Sequence, residues 1–243
     1  MKIVIASSAL IAVMFSTPVL ADPDDSILTN YSENGLRQID FKLGSLGQTG
    51  QPSQDASTLG FGYGFTENWF SEIYVGYVKI GSGATEFDSA AWQNTFLLTN
   101  SQSPVDVGLY TEIEYEHDRT AGEQLTFGPL LQTELGLTKI NFNLLFQRNY
   151  FADFSNPMQM GYQWQVKQHL NLPVDLGIQG FGEFGQWDHW AAQKDQSHRL
   201  GPALFGKIAL SEKNVINYNA AILFDVFDQT HATTFRMQAV LGF

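Results

Sequence analysis

The chain contains no cysteine. A disulfide, a thiol nucleophile and a cysteine-ligated metal site are therefore excluded. Positive charge is scarce: 13 Lys and Arg stand against 25 Asp and Glu, a formal net charge of −12 over 243 residues. That balance argues against nucleic acid as a partner, because phosphate backbones are bound by basic side chains. Beyond the first residues there is no apolar run of the roughly 18 residues that a membrane helix needs. Histidine is also sparse, with five: His117, His169, His189, His198 and His231. Asp188 and His189 are neighbours, but neighbours in a strand point to opposite faces, a poor geometry for a base and its orienting acid. No cofactor is expected. "DPDD" (22–25) lacks the glycine and the spacing of a calcium loop and reads as a solvated N-terminal tail.

The N-terminus carries a different signal. Lys2 precedes an apolar run, Ile3 to Phe15, and Val19-Leu20-Ala21 ends in small residues before Asp22, Asp24 and Asp25. This is the pattern of a secretory signal peptide over 1–21. Its removal takes Lys2 and no acid, leaving the mature chain one unit more negative. Residues 22–35 are expected to form a periplasmic N-terminal segment, and 36–243 a single β domain.

What the remainder has in abundance is aromatic residues (14%), 22 glycines and strict alternation. From Met158, the face Met158, Met160, Tyr162, Trp164 and Val166 alternates with Gln159, Gly161, Gln163, Gln165 and Lys167. A period of two marks a strand with one apolar and one polar face. About twelve such strands are expected, near 36–43, 56–66, 69–80, 87–98, 104–117, 124–135, 139–150, 158–169, 173–186, 198–210, 214–226 and 233–243. Most are roughly twice the five or six residues usual in soluble sheets, and match tilted strands crossing a bilayer. Short connections such as "TENW" (66–69) and "GLT" (136–138) alternate with long polar ones such as "WDHWAAQKDQS" (187–197). The fold class expected is all-β: a transmembrane antiparallel up-and-down β-barrel, with short turns periplasmic and long loops outside.

Two six-residue stretches are nearly the same: "PVDVGL" from Pro104 and "PVDLGI" from Pro173. The match continues through "FGPLL" (127–131) with "LGPAL" (200–204), and "INFN" (140–143) with "INYN" (216–219). This points to a repeated four-strand unit, about 104–170 and 173–243, or to convergence on a common barrel pattern. In the first four strands only Gly60 fits the position of Gly128 and Gly201. Pro129 and Pro202 fall inside strands, so a bulge or weakened pairing near the outer rim is expected at both.

Strand parity supplies the candidate lumen-lining residues: the acids Asp106, Glu112, Glu114, Glu116, Glu134, Asp175, Glu183 and Asp225, and the bases Lys42, Lys167, Lys207 and Arg236. In the repeat Glu134 aligns with Lys207, so acid and base are expected on opposed parts of the wall, where they set a transverse field. The alternative is that these groups pair and fill a narrow bore, since unpaired buried charge is costly. The final strand, "TTFRMQAVLGF", puts Phe235, Met237, Ala239, Leu241 and Phe243 on one face. It resembles the C-terminal signature that the barrel-assembly machinery of Gram-negative bacteria recognises, with Phe243 as the assembly signal.

"GYQWQVK", "HRLGPALFGKI" and the terminal aromatic resemble uncharacterised outer-membrane barrels of Gram-negative bacteria. Some of these are grouped with the transporter family of phenol-degradation meta-pathways. The resemblance implies a passive channel or uptake pore in the outer membrane for small solutes, small organic compounds among them. It transfers no site residue. Outer-membrane lipid and the assembly machinery are the expected partners. An outer-membrane enzyme acting on lipid or peptide, and a structural or adhesive barrel with a plugged lumen, remain the alternatives.

Overall fold

The computed structural model describes residues 23–99, 103–153, 156–170, 172–211, 214–227 and 232–243. The leader expected over 1–21 and His231 lie outside the described residues. Twelve long strands form the wall: β1 (Arg37–Gly47), β2 (Gln54–Thr66), β3 (Trp69–Ile80), β4 (Glu86–Leu97), β5 (Asp106–Glu116), β6 (Glu123–Leu135), β7 (Thr138–Tyr150), β8 (Gln159–Gln168), β9 (Val174–Gln186), β11 (Ser197–Ala209), β12 (Val215–Asp225) and β13 (Thr233–Gly242). A two-residue strand, β10 (His189–Trp190), folds back on the end of β9 within the longest loop.

Each wall strand pairs antiparallel with its neighbours, and β13 pairs with β1, so the ring closes. Closure leaves no unpaired edge, the condition for spanning a bilayer with strands. The seam is extended at its foot, where Arg37 and Phe243 exchange backbone hydrogen bonds of 3.2 and 3.0 Å.

The alternation read from the sequence sorts the two faces. Outward side chains such as Ile39, Leu59, Ile73, Ile113, Ile178 and Phe224 are exposed apolar groups. A wall of this kind would be an aggregation surface in water and suits lipid. Outward aromatics gather near both ends of the strands. At the short-turn end Phe65 stacks on Trp69 (4.5 Å) and Trp69 on Phe96 (5.9 Å), while the Trp69 and Trp92 indoles donate to Asn94 and Ser71. At the long-loop end Phe184 stacks on Trp190 (4.6 Å) and lies 5.2 Å from Tyr162. Amphipathic rings at two levels are the girdles of a membrane barrel.

Three local expectations are sharpened. β1 runs on through Gly44–Gly47, which reads as loop, because ladders to β2 and β13 hold both its sides. Pro129 and Pro202 sit in mid-strand and produce no bulge. Each keeps its register on one side, with Leu109 and Ile178, while on the other side the pairing lapses between Phe127 and Leu130 and between Leu200 and Ala203. A missing N–H weakens one ladder and leaves the other intact. The adjoining glycines explain why the lapse is tight. A Cβ on Gly128 would strike the Leu144 carbonyl, and one on Gly201 the Ile222 carbonyl. The two copies of "GP" thus share a geometry. Gly60 does not, since a Cβ there would meet the Glu72 side chain instead.

Candidate functional site

The inner face of the ring is polar, and its side chains are joined in rows. Along one arc, Asn141 on β7 donates to Gln132 on β6 (2.9 Å), Gln165 on β8 to Asn141 (3.3 Å), and Gln179 on β9 to Gln165 (2.7 Å). Arg236 on β13 continues the row with Nη1 on Gln179 (2.6 Å) and Nη2 on Asn219 of β12 (3.0 Å). Asn219 donates to Gln238 (3.1 Å), and Gln238 to Asp40 on β1 (2.8 Å). Arg236 is 1% exposed and is the hub of this row. Charge-assisted bonds of its kind are about twice as strong as neutral ones.

The other arc, β1 to β5, is acidic. Glu112 accepts from Tyr74 (2.6 Å) and Tyr110 (2.7 Å), the single Tyr110 proton being shared with the Gln93 side-chain oxygen (2.8 Å), and Gln93 donates to Glu72. Glu114 accepts from Gln124 at 3.3 Å. Lys42 is the cation of this arc, 3.9 Å from Asp40 and 5.2 Å above the Tyr74 ring. One oxygen each of Asp40 and Glu72 is buried without a hydrogen bond. A third zone, on β9, β11 and β12, is apolar: Phe181, Ala203, Phe205, Ala221 and Leu223 face inward and are covered by Ile27.

Ile27 belongs to the segment expected to hang in the periplasm. Residues 23–30 lie instead inside the ring. Thr58 on β2 donates to Asp24. The Leu28 N–H donates to Gln163 of β8 (3.2 Å), and the Leu28 carbonyl accepts from Asn143 of β7 (2.9 Å). Asn30 donates to the Asp106 and Leu130 carbonyls of β5 and β6, both at 3.1 Å. Asp25 is within electrostatic reach of Arg199, Lys42 and Arg236. Pro23–Asp25, the described part of "DPDD", is therefore no solvated tail. Its polar groups find partners on the wall that the sequence alone does not reveal.

The candidate residues divide by height along the barrel. Glu112, Glu114 and Arg236 lie on the inner face, bonded to Tyr74 and Tyr110, to Gln124, and to Gln179. Asp106 faces inward at the foot of β5. Asp175 and Lys167 pair at 3.4 Å beside the short turn after β8, where His169 also meets Asp175 at 2.9 Å. Glu183 and Asp225 sit at the long-loop ends of their strands, and Asp225 accepts from the Phe227 N–H (3.1 Å). Glu134 and Lys207 do not set a field across the bore. Both are exposed near the short-turn rim, and Glu134 pairs with Lys139 at 3.5 Å. Parity places them on the inner face, but they stand too near the strand ends to be enclosed. The opposition of charge exists elsewhere, between Glu72, Glu112 and Glu114 on β3 and β5 and Arg199 and Arg236 on β11 and β13. β5 and β11 are almost opposite in the ring. Glu72, Asp40 and the buried amides were missed as individual sites, although the wealth of Gln and Asn on polar faces was their signal.

No protein-family model and no curated protein matches the chain by sequence. Solved structures do match. The NanC porin aligns with a TM-score of 0.60 and 11% identity over 83% of this chain and 98% of its own. The KdgM porin in complex with disordered oligogalacturonate aligns with a TM-score of 0.56 and 8% identity, over 85% and 99%. The transport unit of the autotransporter AIDA-I from Escherichia coli aligns at 0.50 and 8%, over 93% of each chain. At such identities the likeness establishes the fold. The chain is a twelve-stranded β-barrel of the outer-membrane type, closed and antiparallel. Porins and an autotransporter unit share that architecture, so function resides in the lining of the lumen and not in the fold.

Proposed function

We propose that the chain is a passive outer-membrane channel for small solutes. The observation that carries this reading is the inner wall. It offers two arcs of polar side chains facing each other, acid on one and amide with arginine on the other, inside an apolar exterior. A water-filled path needs such a lining. Similarity of fold to the NanC and KdgM porins supports the same reading. The resemblance to barrels of phenol-degradation pathways adds small organic compounds to the solutes worth testing. Glu72, Glu112, Glu114 and Arg236 are the residues that meet a solute, and Asp106, Lys167 and Asp175 guard the periplasmic mouth.

Delivery follows from the leader over 1–21, and insertion from recognition of Phe243 by the assembly machinery. Deleting Phe243 is expected to lower the yield of folded barrel in membranes while leaving refolding in detergent largely intact. Equal yields in membranes would remove that role.

The segment inside the ring favours a second reading, a barrel whose bore is permanently filled. One experiment separates the two. Purified mature protein is inserted into planar bilayers, with folding verified by heat-modifiable migration. Conductance above the bare bilayer, from the mature chain or from one lacking 23–30, supports the channel, and its absence from folded samples of both rejects it.

A further inference from the structure

The path of the N-terminal segment carries a consequence for how such a channel opens. Between Pro23 and Asn30 the chain meets β2 through Asp24, the apolar zone of β9, β11 and β12 through Ile27, β7 and β8 through Leu28, and β5 and β6 through Asn30. Eight residues reach walls on every side of a twelve-strand ring only by crossing its bore. Below the crossing, Ser32 donates to the Thr66 carbonyl (2.6 Å), and Gly35 and Leu36 pair with Gly64 (2.8 Å each) before the chain enters β1.

The wall is shaped to receive this segment. A Cβ on inward-facing Gly44 would collide with the backbone of Pro23 and Asp24, and one on Gly108 with the Asn30 side chain. Neither glycine has a positive φ, so room for the segment, and not backbone conformation, is what a side chain there would remove. The apolar zone is a patch that an aqueous bore would leave wet. Ile27 seals it.

The attachment is also of a kind that can be released. The described part of the segment has no regular secondary structure before β1. It is held by separate hydrogen bonds at Asp24, Leu28 and Asn30, by the Ile27 anchor and by Asp25 within reach of Arg199, Lys42 and Arg236, whereas each wall strand is held by backbone ladders to two neighbours. Because it is tethered at β1 and contributes nothing to the ring, it can leave the bore without opening the wall.

We propose that residues 23–30 are an intraluminal gate, seated across the bore at rest and displaced to open it; this rests on the channel reading above. The bore is then a binding site for the protein's own N-terminus, with Thr58, Asn143, Gln163 and the Ile27 patch as its contacts.

The test has two parts, both on protein whose folding is verified by heat-modifiable migration. The absence of native cysteine makes Ile27→Cys a unique label. In the folded barrel the introduced thiol should react with a small maleimide far faster than with a bulky polyethylene-glycol maleimide, and equally with both once unfolded. Equal labelling by both in the folded state would place the segment outside and overturn the proposal. The second part compares single-channel records of the full mature chain, a chain lacking 23–30, and Ile27→Asn, which unseats the anchor without touching the wall. Sparse openings from the full chain, with open probability raised several-fold in both variants, support the gate. Equal conductance and open probability in all three overturn the gate and leave the channel standing. Silence from all three, with the introduced thiol shielded in the labelling assay, retires the channel reading, and the gate with it, leaving the segment a permanent filler.

Discussion

The two polar arcs of the bore use different chemistry for the same task. The arc from β6 around to β13 satisfies its buried groups with neutral amides in a row, ending on one arginine. The arc from β1 to β5 concentrates carboxylates, held by tyrosine hydroxyls and one lysine. Both keep polar groups partnered inside the ring, as buried polarity requires. Both nonetheless leave buried atoms without hydrogen bonds, Asn143 Oδ1 and Arg236 Nε on the first and Asp40 Oδ1 and Glu72 Oε1 on the second. They differ in charge: the first buries Arg199 and Arg236, the second Asp40, Glu72 and Glu112. A neutral amide replaced in the first should therefore be felt in the shape of the bore, and a carboxylate replaced in the second in its charge.

That division can be broken from either side. The largest effect is expected at Arg236, which joins Gln179 and Asn219. Arg236→Ala should cost about 3 kcal/mol of stability, because it leaves amides and nearby acids uncompensated in a buried network. The urea midpoint of unfolding from detergent measures this, and a change within error would mean the hub is solvated. Next comes Gln165→Leu, which interrupts the row at its middle. About 2 kcal/mol is expected from two groups losing their partners, with ion selectivity unaltered. A selectivity change of the size seen in the acidic arc would blur the distinction between the arcs.

On the acidic side, the pair Glu72→Gln and Glu112→Gln keeps shape and acceptors while removing charge. Stability should move by less than about 1 kcal/mol, because the retained acceptors satisfy the same donors. The reversal potential in a salt gradient should shift toward zero. An unchanged potential would show that permeating ions do not pass this arc. The smallest effect belongs to the rim: Glu134→Gln, which removes an exposed pair with Lys139, should change stability by no more than about 0.5 kcal/mol and leave conductance as it was.

The barrel itself was legible in the chain because alternation is a direct image of a wall with two unlike sides. The face Met158 to Val166 predicted β8 in this way. Parity gives a side of the wall and not a height along it. That is why it could not tell Glu112 and Arg236, which are buried, from Glu134 and Lys207, which stand exposed near the short-turn rim. The extension of β1 through Gly44–Gly47 was hidden by its composition, and two flanking ladders overrode it. The N-terminal segment was illegible for a deeper reason. It has no period, and its partners lie far along the chain, as with Leu28 and Gln163, 135 positions apart. Only the closed ring brings them together.

The channel proposed above implies a conducting bore whose acidic arc favours cations. The most direct measurement is the reversal potential of single channels formed by the folded mature chain across a potassium chloride gradient, beside the same chain carrying Glu72→Gln and Glu112→Gln. The account predicts openings above the bare bilayer, a cation-selective potential in the native chain, and a shift toward zero in the variant. No openings, or an anion-selective potential that the two substitutions leave in place, would contradict it.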